Sequence, residues 1–327
     1  MRAWLAPVAA AILCVAACSP DDEEFSAAAT TRGREVAGKI DAAKLKAHVA
    51  AIVDARTKEP PVVSRYGLEV VHTHINSADY MIQELTALGY TPVAERTSEN
   101  EMPLTTVYVD IPGRRPELVL LTGHHDAWYQ AGADDNATAL AVMLEAARVL
   151  KDTMPALSIR IIAFDGEEEG SIGAKRYLAL HARDQIAMVV NMDCVGYASH
   201  QTGSQDAPAG LSLRDTGDFL AAIVNEPTRG GVSRVLHLSN TLPAPVDVLG
   251  LIAPGNGITP ATGNFLRSDH GPFWAAGIPA IFLTDTANFR NHNYHTADDT
   301  PEKLDYDFLA RSAAFAIGAV AAFAESE

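Results

Sequence analysis

Five short stretches of the chain concentrate carboxylate and imidazole side chains. They are Gly123-His124-His125-Asp126, Asp134-Asp135-Asn136, Asp165-Gly166-Glu167-Glu168-Glu169-Gly170, Asp193, and Asn293-Tyr294-His295. Taken singly, each has a plain structural use. Asp135 or Asn136 would serve as the N-cap of a following helix, a role worth about 1 kcal/mol. The three glutamates would do as a solvated turn, and the two histidines as surface imidazoles. Brought together, the same groups pose an electrostatic problem, because gathered carboxylates repel one another and are driven to protonate. A divalent cation removes the problem. A His/Asp/Glu set without thiolates suits zinc, with cobalt or manganese as substitutes. A carboxylate can also bridge two ions about 3.5–4 Å apart, an arrangement that makes water nucleophilic for hydrolysis.

These stretches act as one site only if the fold assembles them, and the segments between them indicate how. Glu117–Thr122, Ser158–Phe164, Ile186–Met192 and Ile278–Leu283 are short apolar runs of the kind found in buried strands, and four of the polar stretches follow them. Thr105–Ile111 is β-branched and alternating. Apolar residues recur at helical spacing over Ile40–Arg56, Asn76–Leu88, Ala137–Lys151, Ala174–His181 and Asp305–Phe323. This alternation predicts an α/β fold, with a mixed, largely parallel central sheet flanked by helices on both faces. In such sheets ligands bind beyond the carboxyl ends of the strands, so the polar stretches are expected at one edge of a single domain spanning residues 39–327. Residues 199–263 are rich in Gly, Pro, Ser and Thr and read as a loop-rich insertion that shapes a pocket, with one helix over Gly217–Asn225.

The N-terminus reads as an address. One basic residue, Arg2, precedes an apolar stretch too short to span a bilayer comfortably, so residues 1–17 are expected to be a signal peptide. Val15-Ala16-Ala17-Cys18 resembles the lipobox of bacterial lipoproteins, which implies a lipid on Cys18 as the only membrane attachment. The acidic residues 18–38 read as a flexible tether, and the domain as exported, facing the periplasm or the cell exterior. With Cys14 leaving in the signal and Cys18 acylated, Cys194 would be the lone free thiol. Asp and Glu outnumber Lys and Arg by 41 to 25, giving a formal charge of -16 that repels nucleic acid. At 48% hydrophobic and 20% charged residues, the composition excludes disorder over most of the length.

With the five blocks in this order, the chain resembles the aminopeptidase Y family of dinuclear zinc peptidases, which includes the bacterial leucyl aminopeptidases. The resemblance runs from about Ile40 to Phe323. It implies the zinc exopeptidase-like fold, two Zn2+ ions, and a peptide substrate shortened from its N-terminus. The implied ligands are His124, Asp135, Glu168, Asp193 and His295, with Asp135 rather than Asp134 bridging. Asp126 would orient His124, Glu167 would be the general base, and Tyr294 would donate to the oxyanion. The third glutamate leaves the register ambiguous until Gly170 and Gly173 are aligned, which places the base on Glu167. Ser268-Asp269-His270, followed by Gly277-Ile278-Pro279-Ala280, matches a further block near the pocket. Two other readings share the fold. A single-zinc glutaminyl cyclase would carry tryptophan in place of Ser268, and a catalytically silent binding lipoprotein would lack ligands. The residue preference of the enzyme is not legible, and Arg267 is the nearest cation to receive a substrate carboxylate.

Overall fold

The computed structural model describes residues 13–15, 23–59, 74–99, 102–128 and 131–326. Cys18 and the expected signal, apart from Leu13–Val15, lie outside them. Nine strands among the described residues form one sheet: β1 (Leu13–Val15), β2 (Val93–Glu99), β3 (Met102–Ile111), β4 (Arg115–His124), β5 (Leu157–Phe164), β6 (Ile186–Met192), β7 (Leu220–Asn225), β8 (Val248–Ala253) and β9 (Ala280–Thr284). Their order is β1-β8-β7-β9-β6-β4-β5-β3-β2. The centre is parallel, through the β9–β6, β6–β4 and β4–β5 pairs. The β7–β8 pair is also parallel, but it joins β9 antiparallel. On the far side β3 and β2 are antiparallel additions.

Eight α-helices lie among the described residues: α1 (Ala27–Ala37), α2 (Ala42–Thr57), α3 (Ile75–Ala87), α4 (Thr138–Leu150), α5 (Ile172–Leu180), α6 (Arg229–Ser239), α7 (His270–Ala275) and α8 (Tyr306–Glu325). Side chains alternate across each strand, so one strand feeds two cores. Val119 and Leu121 of β4 join the cluster that takes in α1–α4, α6 and α8. Leu118 and Leu120 join a smaller cluster with Ala174 and Tyr177 of α5 and Phe273 and Trp274 of α7. The expected layers, helices on both faces of a mixed sheet, are present. The long apolar α8 is held by this packing, with Ala313 and Phe315–Ile317 fully or almost fully buried.

Two expectations fail. The segment 18–38 is not a flexible tether over its described part. α1 is capped by Ser26, whose hydroxyl accepts from the Ala29 amide, and it lays Ala29, Gly33, Val36 and Ala37 against the core. Small residues conceal this stripe from a hydropathy reading. Gly33 sits where an added Cβ would fall 2.8 Å from the Gly318 carbonyl of α8, so only glycine allows the two helices to approach. Phe25 closes the contact edge-on to Phe323, with ring centroids 4.8 Å apart. The segment 199–263 is also more ordered than its composition suggests. Gly217–Asn225 contains strand β7 rather than a helix, and the helix, α6, follows it. Leu220-Ala221-Ala222-Ile223-Val224 is buried on both faces, so it shows no alternation, and a short apolar run of that kind is ambiguous between strand and helix.

Candidate metal centre

β4 ends at His124, β6 ends one residue before Asp193, and β5 leads through a tight turn to Glu167 and Glu168. Asp135 lies in the irregular segment between Gly132 and α4, and His295 in the loop after β9. The sheet brings all five ligand candidates to one edge as two groups that share Asp135. One group is His124, Asp135 and Asp193, and the other is Asp135, Glu168 and His295, with the ligand atoms of each group within 4.8 Å of one another. Nε2 of His124 stands 3.2 Å from one Asp135 oxygen and 3.7 Å from Asp193. Nε2 of His295 stands 2.9 Å from the other Asp135 oxygen and 3.0 Å from Glu168. Among the described residues neither imidazole nitrogen has a hydrogen-bond partner, although both atoms are buried. Paired imidazole and carboxylate donors, converging with orphaned nitrogens, fit divalent cations.

The residues around the ligand candidates differ in what they bond to. Asp134 is engaged elsewhere, accepting from the Gly196 amide at 3.0 Å and from Asn291 at 3.1 Å. His125 is also occupied away from the cluster, with Nε2 2.7 Å from the Thr105 carbonyl. Asp126 has a double task. Its carbonyl lies 3.0 Å from Nδ1 of His124 and its carboxylate 3.4 Å away, while the carboxylate also accepts the amides of Glu167 and Glu168 at 3.2 and 3.1 Å. One aspartate thereby fixes a histidine ring and the backbone of the turn that carries Glu167 and Glu168.

Several supporting residues carry no sequence signal. Arg56 of α2 is fully buried and donates to the carbonyls of Gly132 at 2.6 Å and His125 at 3.0 Å, joining two ligand loops. Gly132 has φ 49°, and a Cβ there would meet the Asp135 carbonyl at 2.6 Å and the Arg56 guanidinium at 2.7 Å. Asp299 accepts the amides of both Asp134 and Asp135 at 3.1 Å. Asn136 donates to the Met192 carbonyl and accepts from the Cys194 amide, tying the Asp135 loop to the Asp193 loop at 3.0 and 3.2 Å. His295 itself has φ 56°, a left-handed backbone that costs an ordinary residue roughly 1–2 kcal/mol.

The electrostatics describe a centre that holds protons when no cation is bound. Burial would lower the His124 pKa, but Asp193, Asp126 and Asp135 raise it well above the usual imidazole value. Burial acts the same way on His295, and the Glu168 and Asp135 carboxylates push it up to about 11. Glu168 rises to about 7 through burial and the nearby Asp135 charge. Asp135 is pulled down, because its two histidine partners outweigh its burial. Burial also lifts Glu167 well above the carboxylate range, with Asp193, Asp269 and Glu168 adding to the effect and His124 opposing it. Tyr294 is raised by burial and the adjacent carboxylates, and so keeps its phenolic proton.

Beside this polar centre lies an apolar cleft open to solvent. Its walls include Leu211, Leu213, Ile223, Phe265, Phe282 and Phe289, and Asp193 and Tyr294 stand at its border with the ligands. Arg267, on the rim, donates to Asn288 at 2.7 Å and lies over the Tyr294 ring at 5.8 Å.

The sequence profile of peptidase family M28 matches residues 106–226 and 248–320, well over half of the chain. The chain belongs to peptidase family M28. Among its relatives, the aminopeptidase YwaD of Bacillus subtilis is 29% identical over 220 residues, which are 63% of this chain and 41% of YwaD. The fold is that of the LapA aminopeptidase of Legionella pneumophila, with a TM-score of 0.67 at 16% identity over 94% of this chain and 78% of LapA. It is also that of the glutaminyl cyclase of Porphyromonas gingivalis, with a TM-score of 0.61 at 16% identity over 85% and 97% of the two chains. Fold alone therefore does not separate hydrolysis from cyclisation. Family membership makes this M28 chain a metal-dependent peptidase, with zinc the metal that the family supports.

Proposed function

We propose that this M28 peptidase is a two-zinc aminopeptidase that removes apolar residues from the N-termini of peptides. The observation that carries this reading is Asp135, whose two oxygens face His124 and His295 separately at 3.2 and 2.9 Å, as a carboxylate shared between two ions would. His124 and Asp193 complete one position, and Glu168 and His295 the other. When bound, such a pair supplies Lewis acidity and lowers the pKa of water towards neutrality. Glu167, raised by burial and set beside His124, Asp193 and Glu168, takes the proton of the attacking water and returns it to the leaving amine. Tyr294, still protonated, donates to the developing oxyanion. Asp126 keeps the Glu167 backbone and the His124 ring in register during both transfers. The substrate's first side chain enters the cleft walled by Leu213 and Phe282, which favours aliphatic and aromatic residues over charged ones.

The glutaminyl cyclase reading has less support, because both ligand groups are complete and Ser268 stands where tryptophan would precede Asp269. A panel of aminoacyl anilides, assayed beside an N-terminal glutaminyl peptide on protein of counted metal content, separates the two. Chelator-sensitive release from leucyl and phenylalanyl anilides is expected. Pyroglutamate formation without anilide hydrolysis would replace the aminopeptidase reading.

The same proposal places the enzyme outside the cytoplasm, tethered by a lipid on Cys18. Metabolic labelling with a fatty acid should mark the wild-type chain and not Cys18→Ala. An unlabelled wild-type chain would leave export by an ordinary signal.

A further inference from the structure

The two ligand groups are built differently. His124 is 1% exposed, and its second ring nitrogen is held by Asp126. His295 is 30% exposed, sits on a left-handed backbone, and among the described residues has no hydrogen bond to its Nδ1. A ligating histidine ordinarily has its second nitrogen fixed by a carboxylate, carbonyl or water. Here the ring lies parallel to two aromatic rings instead. Tyr294 stacks on it with centroids 3.8 Å apart and planes at 13°, and Trp128 at 5.5 Å and 9°. Trp128 also reaches the other ligand of the group, because its backbone amide donates to Glu168 at 2.9 Å. The second Glu168 oxygen then faces His295 at 3.0 Å.

We propose that Trp128 is the positioning residue of the Glu168–His295 ion position, its indole fixing the plane of the His295 ring while its amide aims Glu168. The inference rests on the metal-centre reading and names a residue that reading does not require. Stacking has the right strength for such a task. An aromatic pair contributes beyond its area burial, on the scale of the conformational cost of holding His295 left-handed. The amide contact with Glu168 survives substitution, because every non-proline residue supplies an N–H, so side-chain variants isolate the stack. The amide contact and the ring stack of Trp128 fall on Glu168 and His295, the two ligands that complete one ion position, so its loss should fall mainly on that position.

The test is zinc titration of the metal-stripped full chain, followed by calorimetry and tryptophan fluorescence, for wild type, Trp128→Phe and Trp128→Leu. Two binding events are expected in wild type. Trp128→Leu should weaken one of them by about 3–10-fold, the size of an aromatic stacking contribution, and leave the other in place. Trp128→Phe, which keeps a ring on His295, should recover most of the loss. The fluorescence difference between wild type and Trp128→Phe should change with one event alone, and this measurement does not depend on the leucine variant folding. Equal weakening of both events in the leucine variant, unchanged affinity, or an indole signal indifferent to zinc would overturn the proposal. If wild type bound one ion only, the two-zinc reading would fall. The role of Trp128 would then stand or fall on whether that single affinity drops in the leucine variant and returns in the phenylalanine variant.

Discussion

The metal centre and the cleft beside it share Asp193 and Tyr294 yet are built on opposite principles. The centre places charged groups where the desolvation cost is high, and it holds them with amides and carbonyls from several loops. Asp126, Asp299, Asn136 and Arg56 are spent on that positioning. The cleft is largely apolar, and its walls combine Ile223, Leu251 and Phe282 of the sheet with loop residues around Leu211–Leu213, Phe265 and Phe289. The difference teaches that turnover and selectivity are separable here. Damage to the centre should abolish chemistry whatever the substrate, whereas damage to the cleft should re-rank substrates and leave the metal content alone.

The largest expected effect is that of Glu167→Gln. Losing a general base lowers kcat by about 10²–10⁴-fold, while zinc content and the ratio of leucyl to alanyl turnover stay unchanged. Ordinary activity in this variant would remove Glu167 from the mechanism. Next comes the pH dependence of zinc binding, which follows from the protons on the ligands. Glu168 titrates near 7 and His295 near 11 in the metal-free centre, and a bound cation displaces those protons. Affinity should therefore rise with pH between 7 and 9, where His124 at one position and His295 at the other must each give up a proton, and more steeply below 7 at the position that also holds Glu168. The leucyl-to-alanyl preference should stay nearly flat over the same range, because Leu213, Phe265, Phe282 and Phe289 line the cleft with groups that do not titrate. Zinc affinity that fell with rising pH would contradict the assigned ligands. The smallest effect is that of Leu213→Ala, which should lower kcat/KM for leucyl substrates about 10-fold, with alanyl substrates and zinc stoichiometry unchanged. A uniform loss across substrates would place Leu213 outside the specificity pocket.

How far the sequence discloses this arrangement depends on the range of each signal. The strands β4, β5 and β6 and the polar residues after them are legible, because buried parallel strands leave near-continuous apolar runs and the polar stretches interrupt them. The choice of Asp135 over Asp134 came from resemblance, and the separate hydrogen bonds of Asp134 to Gly196 and Asn291 now give its physical reason. What stays hidden depends on contacts between distant segments. Arg56 looks like any helical arginine until α2 packs over Gly132. α1 looks like a polar tether because its buried stripe is made of alanine and glycine. β7 reads as helix in the sequence because a strand buried on both faces loses its two-residue period. Trp128 lies two residues beyond Asp126, but no spacing rule connects it with His295, more than 160 positions further along the chain.

The central claim is that Asp135 joins two cation positions. A crystal of the zinc-loaded protein, with anomalous differences collected at the zinc absorption edge, tests it directly. Two peaks should appear on either side of the Asp135 carboxylate, one against His124 and Asp193 and the other against Glu168 and His295. A single peak at saturating zinc, or a pair of peaks without Asp135 between them, would contradict the account.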